Sequence, residues 1–174
     1  MPCPENAVVS RFGVPGWTTA QALYYLQSIP LIDTPDLVII QLGINDLKTI
    51  GVLPEQRKDI QGKCEQNLRS IADRFNHRGS KVILLTVFPP GSVPLIRRPV
   101  WREDIRLGVR EVNDHLGKLN SKDLVVFDCD EVFLRNGKMN REYLRDTLHI
   151  NSRGYEVLNS VLEPVIHHIF TEGL

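Results

Sequence analysis

Three short apolar segments constrain the fold of this 174-residue sequence more than any other feature. They are 36–42 (DLVIIQL), 81–87 (KVILLTV) and 123–128 (DLVVFD). Each is an almost unbroken run of Val, Ile and Leu that does not alternate with polar residues. This pattern is typical of strands buried on both faces of a parallel sheet. A shorter segment, 7–12 (AVVSRF), is a fourth candidate strand.

Amphipathic helices are predicted between these strands. The segment 54–77 begins with Pro and Glu, as helices often do, and its apolar residues recur at helical spacing. Further helices are predicted over 18–28, over 99–119 and from Asn151 or Ser152, either of which can cap the last helix. Because strands and helices alternate, the sequence predicts an open parallel α/β sheet with right-handed crossover connections.

The composition excludes several classes of protein. A chain that is 42% hydrophobic and 24% charged is an ordinary globular protein, and we expect residues 1–174 to form one domain. Lys plus Arg and Asp plus Glu both number 21, so the basic excess of a nucleic-acid-binding protein is lacking. No apolar run reaches the roughly 18 residues of a membrane span. Cys3, Cys64 and Cys129 match no metal-ligand spacing, so we expect buried or incidental thiols and neither a metal nor a cofactor.

Three polar motifs follow predicted strands or precede predicted helices, at the edge where this architecture binds ligands. In G-I-N-D, Gly43 permits a sharp turn and the side-chain N–H of Asn45 can donate to an oxyanion. In GVPGWTT, the backbone N–H of Gly16 precedes a helix and suits an anion. In D-T-L-H, the spacing of Asp146 and His149 can bring a carboxylate to an imidazole. Each motif alone is more often a turn or a cap.

The order of these motifs resembles that of the SGNH hydrolases, also called the GDSL esterase/lipase family. In that family a glycine block is followed by G-x-N-D and then by D-x-x-H. The segments PDLVIIQLGINDL, KVILLTVFP and DTLHINSRGYEVL are also similar to the family. The resemblance covers nearly the whole chain, from Ala7 to the C-terminus.

The resemblance implies a flavodoxin-like α/β/α sandwich of three layers. It also implies hydrolysis of a carboxylic ester through a Ser-His-Asp acyl-enzyme mechanism. In this interpretation His149 is the general base, Asp146 orients it, and Gly16 and Asn45 donate to the oxyanion. The expected substrate is a small-molecule, carbohydrate or lipid ester.

The first block of the family, G-D-S-[LI], is missing, and with it the nucleophilic serine and a central strand. The sequence has no G-x-S-x-G motif either, and Ser10, Ser92 and Ser152 have little support as substitutes, so no nucleophile is assigned. Because central strands without a neighbour leave buried backbone groups unpaired, which destabilises the fold, we expect an N-terminally truncated chain. The alternative is a reduced sheet in which 7–12 pairs directly with 36–42. Little or no esterase activity is then expected of these 174 residues.

Two other functional classes are possible. A non-catalytic binding module keeps the pocket without the serine, although it has no need of a base–carboxylate pair. A nucleotide-binding or receiver domain needs clustered acids or phosphate-binding glycines at strand ends, and this sequence lacks them. The N-terminus as it stands does not resemble a signal peptide, which favours a cytoplasmic protein, whereas a truncated start leaves secretion open.

Overall fold

A parallel sheet of three strands lies at the centre of the fold. The computed structural model describes residues 7–30, 33–92 and 103–171. The strands are β1 (Leu37–Ile40), β2 (Lys81–Leu85) and β3 (Leu124–Phe127), in that order across the sheet. All three long apolar segments are therefore confirmed as strands, although each strand is shorter than its segment.

Six α-helices and a hairpin accompany the sheet in the described part of the chain. The helices are α1 (Thr19–Ser28), α2 (Ile44–Leu47), α3 (Arg57–Asn76), α4 (Glu103–Leu116), α5 (Cys129–Phe133) and α6 (Ser152–Thr171). The antiparallel hairpin consists of β4 (Leu134–Arg135) and β5 (Lys138–Met139). The four long helices confirm the predicted ones, although residues 99–102 of the helix predicted over 99–119 lie outside the described residues. Helices α2 and α5 are too short to produce a periodic apolar pattern, so the sequence did not predict them.

Local side chains set where two of these helices begin. The side chain of Thr18 accepts a hydrogen bond from the backbone N–H of Gln21, whose own side chain returns to the backbone of Thr18. The side chain of Asn151 accepts from the backbone N–H of Gly154 at 3.0 Å. Asn151 rather than Ser152 is therefore the cap of α6.

The sheet is covered on both faces because the side chains of β2 alternate between two hydrophobic cores. Val82 and Leu84 pack into a core built with α1, α3 and α4. Ile83 and Leu85 pack on the opposite face, into a core built with α5 and α6. None of these four side chains is more than 3% exposed. The result is the expected three-layer α/β/α sandwich.

The segment 7–12 is not a strand, so this prediction is wrong. It has no regular secondary structure, and Val8 and Val9 are 94% and 73% exposed. A parallel strand needs a neighbour for its backbone groups, and no described residue pairs with this segment. Direct pairing with β1 is therefore not formed, and β1 is an edge strand of the described sheet.

Two cysteines are buried, one in each core, as predicted. Burial raises the pKa of both thiols, that of Cys129 to about 12, so neither Cys64 nor Cys129 is a thiolate at neutral pH. Cys3 lies outside the described residues.

Within residues 7–30, 33–92 and 103–171, no three His, Cys, Asp or Glu side chains are grouped to hold a metal ion. No helix in this part of the chain has the length and apolar character needed to cross a bilayer.

A buried side chain on α4 completes the hydrogen bonding beyond the end of β2. The backbone N–H of Val87 donates to Oδ1 of Asn113 at 2.8 Å, and Nδ2 of Asn113 donates to the carbonyl of Val87 at 2.9 Å. Both residues are buried. Asn113 thereby satisfies two backbone groups that no strand of the described sheet pairs with.

Asn113→Ala is expected to lower the free energy of unfolding by about 2–4 kcal/mol, because two buried backbone groups lose their partners. Urea denaturation measures this loss. Asp114→Ala, at an exposed position of the same helix, is the control and should change stability by less than about 0.5 kcal/mol. Equal losses in the two variants would contradict the role given to Asn113.

The first turn of α5 holds a carboxyl group in an unfavourable environment. Oδ1 of Asp130 is buried and accepts no hydrogen bond from any described residue. Burial, together with the nearby carboxylate of Asp128, raises the pKa of Asp130 to about 6, and Arg110 offsets only part of this effect. Ionised Asp130 therefore destabilises the fold.

The folded protein holds the Asp130 proton up to about pH 6, whereas the unfolded chain releases it near pH 3.8. Stability is therefore lost as the pH rises through this interval. We expect Asp130→Asn to exceed the parent in unfolding free energy by about 1–2 kcal/mol at about pH 7.5, and to equal it at about pH 3.5. Denaturant unfolding across this pH range provides the measurement.

Asp123→Asn is the control of opposite sign. Its hydrogen bond to Lys81 lowers the pKa of Asp123, so this carboxylate stabilises the fold once it is ionised. Asp123→Asn should therefore lose stability relative to the parent as the pH rises. A pH-independent difference between Asp130→Asn and the parent would contradict the raised pKa.

Candidate active site

The turn before α6 brings a carboxylate to an imidazole. Nδ1 of His149 lies 2.9 Å from Oδ1 and 2.8 Å from Oδ2 of Asp146. Oδ1 also accepts from the backbone N–H groups of Leu148 at 2.8 Å and His149 at 2.9 Å. This contact favours the neutral tautomer with the proton on Nδ1, which leaves Nε2 as a proton acceptor. The His149 side chain is 67% exposed, so the imidazole is accessible.

Asp146 is held in its ionised form. Partial burial raises its pKa, but the N–H of Leu148, the imidazole of His149 and the N–H of His149 outweigh burial. The pKa of Asp146 therefore lies below its ordinary value. An ionised carboxylate at this place stabilises the imidazolium that forms when His149 takes up a proton.

Asn45 lies on α2, directly after β1, and its side chain is held at both ends. Gly43 makes the turn into α2 possible: its φ is +114°, and a Cβ there would lie 2.7 Å from Cγ2 of Val87. Nδ2 of Asn45 donates to the carbonyl of Trp17 at 2.9 Å, and Oδ1 accepts from Nζ of Lys48 at 2.7 Å. Because the amide nitrogen carries two hydrogens, one N–H remains after the bond to Trp17.

The neighbouring Asp46 binds the first residue of α1. One carboxylate oxygen accepts from the backbone N–H of Thr19 at 2.9 Å, and the other accepts from the Thr19 hydroxyl at 2.7 Å. Nδ2 of Asn67 donates to the same hydroxyl at 3.1 Å. Burial raises the pKa of Asp46, although both hydrogen bonds from Thr19 oppose this effect. These hydrogen bonds join the first residue of α1 to α2, the helix that carries Asn45.

Gly16 lies in the loop before α1, with a φ of +84°. No described residue accepts a hydrogen bond from its backbone N–H. The next residue, Trp17, packs its ring against Phe12 and Tyr25, with ring centroids 6.0 Å and 5.3 Å away. The Gly16 N–H is therefore an available donor in a loop that Asn45 and the aromatic rings hold in place.

Both parts of the site lie at the carboxyl edge of the parallel sheet. Asn45 follows β1, and the chain beyond β2 leads to Gly91, whose N–H donates to the carbonyl of Thr147 at 2.8 Å. Thr147 lies between Asp146 and His149, so the imidazole turn is anchored beyond the end of β2. The structure thus joins Asp146 to His149 directly. It joins the Gly16 loop to Asn45 through Trp17, and no hydrogen bond among the described residues links the two pairs.

No serine in the described part of the chain hydrogen-bonds to His149. Ser10 is exposed in the irregular segment 7–12, Ser92 lines a cavity, and Ser152 is the first residue of α6. The structure therefore adds no nucleophile to the serines considered from the sequence.

Sequence reasoning missed the residues that hold the site in place. Asp46 was visible inside G-I-N-D, but a turn motif does not reveal a contact with a residue 27 positions earlier. Thr19 and Asn67 carry no sequence signal, because their bond joins two helices far apart in the chain.

The comparisons with known proteins agree with this architecture. The model of the GDSL-like lipase/acylhydrolase family matches residues 4–157. A search of the curated proteins finds no match.

Three solved structures show the likeness in fold. A protein provisionally described as a platelet activating factor from Streptococcus pneumonia has a TM-score of 0.75 and 18% identity, over 93% of this chain and 74% of its own. A GDSL-like lipase from Bacteroides thetaiotaomicron has a TM-score of 0.65 and 21% identity, over 87% and 72% of the two chains. A provisionally assigned acylhydrolase from Bacteroides fragilis has a TM-score of 0.68 and 20% identity, over 87% and 71%. From the family match over residues 4–157, this chain belongs to the GDSL-like lipase/acylhydrolase family.

Proposed function

We propose that this chain carries the general-base and oxyanion-binding parts of a carboxylic-ester hydrolase site. Membership of the GDSL-like lipase/acylhydrolase family supports a hydrolase function. The observation that carries the finer proposal is the contact of both Asp146 oxygens with Nδ1 of His149. A carboxylate in this position supports an imidazole as a general base.

In the proposed reaction Nε2 of His149 removes the proton of a serine hydroxyl as its oxygen attacks the ester carbonyl. The proton then passes to the leaving alkoxide, and an acyl-enzyme remains. Water attacks the acyl-enzyme with His149 again as the base, which releases the carboxylic acid and restores the serine. The N–H of Asn45 that is not bonded to Trp17 and the backbone N–H of Gly16 donate to the oxyanion in both steps.

The serine is the part of the mechanism that these 174 residues do not supply. The sequence lacks the G-D-S block of the family, and no described serine contacts His149. We therefore propose that the 174-residue chain has little or no esterase activity by itself, and that a serine-bearing strand added beside β1 restores it. The proposed substrates are small-molecule, carbohydrate or lipid esters.

A non-catalytic binding module is the second candidate. Both ends of the Asn45 amide already have hydrogen-bond partners, and this is what favours such a module. In that case the site binds an ester or its acid without cleaving it. The two candidates differ in what happens when a serine is supplied.

Hydrolysis of p-nitrophenyl acetate tests the role of His149. We expect the 174-residue chain and its His149→Ala variant to be equally inactive. A chain extended at its N-terminus by the serine-bearing strand of a GDSL-like lipase should exceed both by at least about 100-fold, because the base can then activate a nucleophile. In the extended chain, His149→Ala should abolish this gain.

His77→Ala is the matched control, since His77 follows α3 at the opposite end of β2 and should leave the rate unchanged. If the unextended chain is active and His149→Ala removes that activity, the proposed inactivity is contradicted. An extended, folded chain that binds esters but does not cleave them would favour the binding module.

Asn45→Ala in the extended chain is expected to lower kcat about 10²–10³-fold, because the oxyanion loses one donor. Steady-state kinetics measure the effect. Lys48→Met is the control: it removes the partner of Oδ1 but leaves the Asn45 N–H groups in place, so its kcat should stay close to that of the parent. Similar losses in the two variants would mean that Asn45 acts through the local structure and does not donate to the oxyanion.

A further inference from the structure

A charged cavity of about 440 Å³ is lined in part by Gly91, whose backbone N–H donates to Thr147 in the turn that carries His149. Its walls come from residues 89–92, the N-terminal part of α4, the start of α5, the β4–β5 hairpin and Arg141 in the turn that follows the hairpin. Six charged side chains line it: Glu103, Arg106, Arg110, Asp130, Lys138 and Arg141. Four are cationic and two are acidic, so the cavity has an excess of positive charge in a protein whose net charge is zero.

The acidic side chains do not neutralise all of the cations. Arg106 donates to Glu103 through both Nε and Nη2, so these two residues satisfy each other. Arg110 lies close enough to Asp130 to oppose the rise in its pKa that burial causes. The carboxyl group of Asp130 therefore also has a cationic neighbour. Lys138 and Arg141 have no carboxylate partner in the described part of the chain. Two cationic groups are therefore available to a ligand.

The wall of this cavity is fixed to the imidazole turn. The N–H of Gly91 donates to the carbonyl of Thr147 at 2.8 Å, two residues before His149. A Cβ on Gly91 would overlap the side chain of Leu144, so the contact between the wall and the chain leading to this turn is close. Gly91 therefore borders the cavity and also contacts the segment that carries Asp146 and His149.

We propose that this cavity binds a negatively charged group, a carboxylate or a phosphate, of the ester substrate, with Lys138 and Arg141 as its ligands. As a statement about the substrate it rests on the proposed ester hydrolysis. The guanidinium of Arg141 can hold two anionic oxygens at once, and the ammonium of Lys138 adds a compact charge. The esters favoured by this site therefore carry an anionic group, in contrast to neutral acetates.

Calorimetric titration with inorganic phosphate and with monomethyl succinate, an ester with one free carboxylate, tests the proposal on the 174-residue chain. A salt concentration of about 20 mM keeps screening weak. Both probes should bind the parent, and the double variant Lys138→Gln/Arg141→Gln should bind each at least about tenfold more weakly. The control Lys58→Gln/Lys118→Gln removes the same charge from exposed positions outside the cavity and should bind like the parent.

His149→Ala should bind both probes as the parent does, so a failure of the proposed hydrolysis is distinguishable from a failure of this site. The exchange Lys138→Arg/Arg141→Lys keeps both charges and should restore binding, which separates charge from folding. The proposal is overturned if the parent binds neither probe. It is also overturned if Lys58→Gln/Lys118→Gln weakens binding as much as Lys138→Gln/Arg141→Gln does. Binding of phosphate without monomethyl succinate would support the proposal with a phosphate as the anionic group of the substrate.

Discussion

Burial of β2 on both faces is the constraint on which the rest of the structure depends. Val82 and Leu84 face one core, and Ile83 and Leu85 face the other, so helices must cover both sides of the sheet. Parallel strands in turn need long crossover connections, which fill those two layers. The loops of these crossovers meet at the carboxyl edge, and this edge carries the candidate site.

The chain that follows β2 contacts both parts of the candidate site. Asn113 takes the place of a strand neighbour for Val87, and a Cβ on Gly43 would collide with the Val87 side chain. A few residues later, Gly91 holds the imidazole turn through Thr147. One stretch of chain therefore packs against the asparagine turn and anchors the imidazole turn, although no hydrogen bond among the described residues joins Asn45 to His149.

Two carboxyl groups, those of Asp146 and Asp46, orient the two parts of the site independently. Asp146 holds the backbone and the ring of His149, while Asp46 holds the first residue of α1 and so positions the loop of Gly16. The two carboxyl groups differ in pKa because hydrogen bonds outweigh burial at Asp146, whereas burial outweighs them at Asp46. Of these two carboxyl groups, Asp146 beside the imidazole is the more exposed one and the one whose pKa is lowered.

The sequence by itself determined the three parallel strands and the four long helices, because these depend on short-range patterns. The pairing of Asp146 with His149 was only a possibility in D-T-L-H alone, and the order of the three motifs is what favoured it. The same reasoning failed for 7–12, whose apolar pattern becomes a strand only beside a partner. The tertiary structure alone decided that Asn45 meets Trp17, that Thr19 meets Asp46 and that Lys138 and Arg141 share a cavity. Packing of elements sets such long-range contacts, and no local pattern of residue types encodes them.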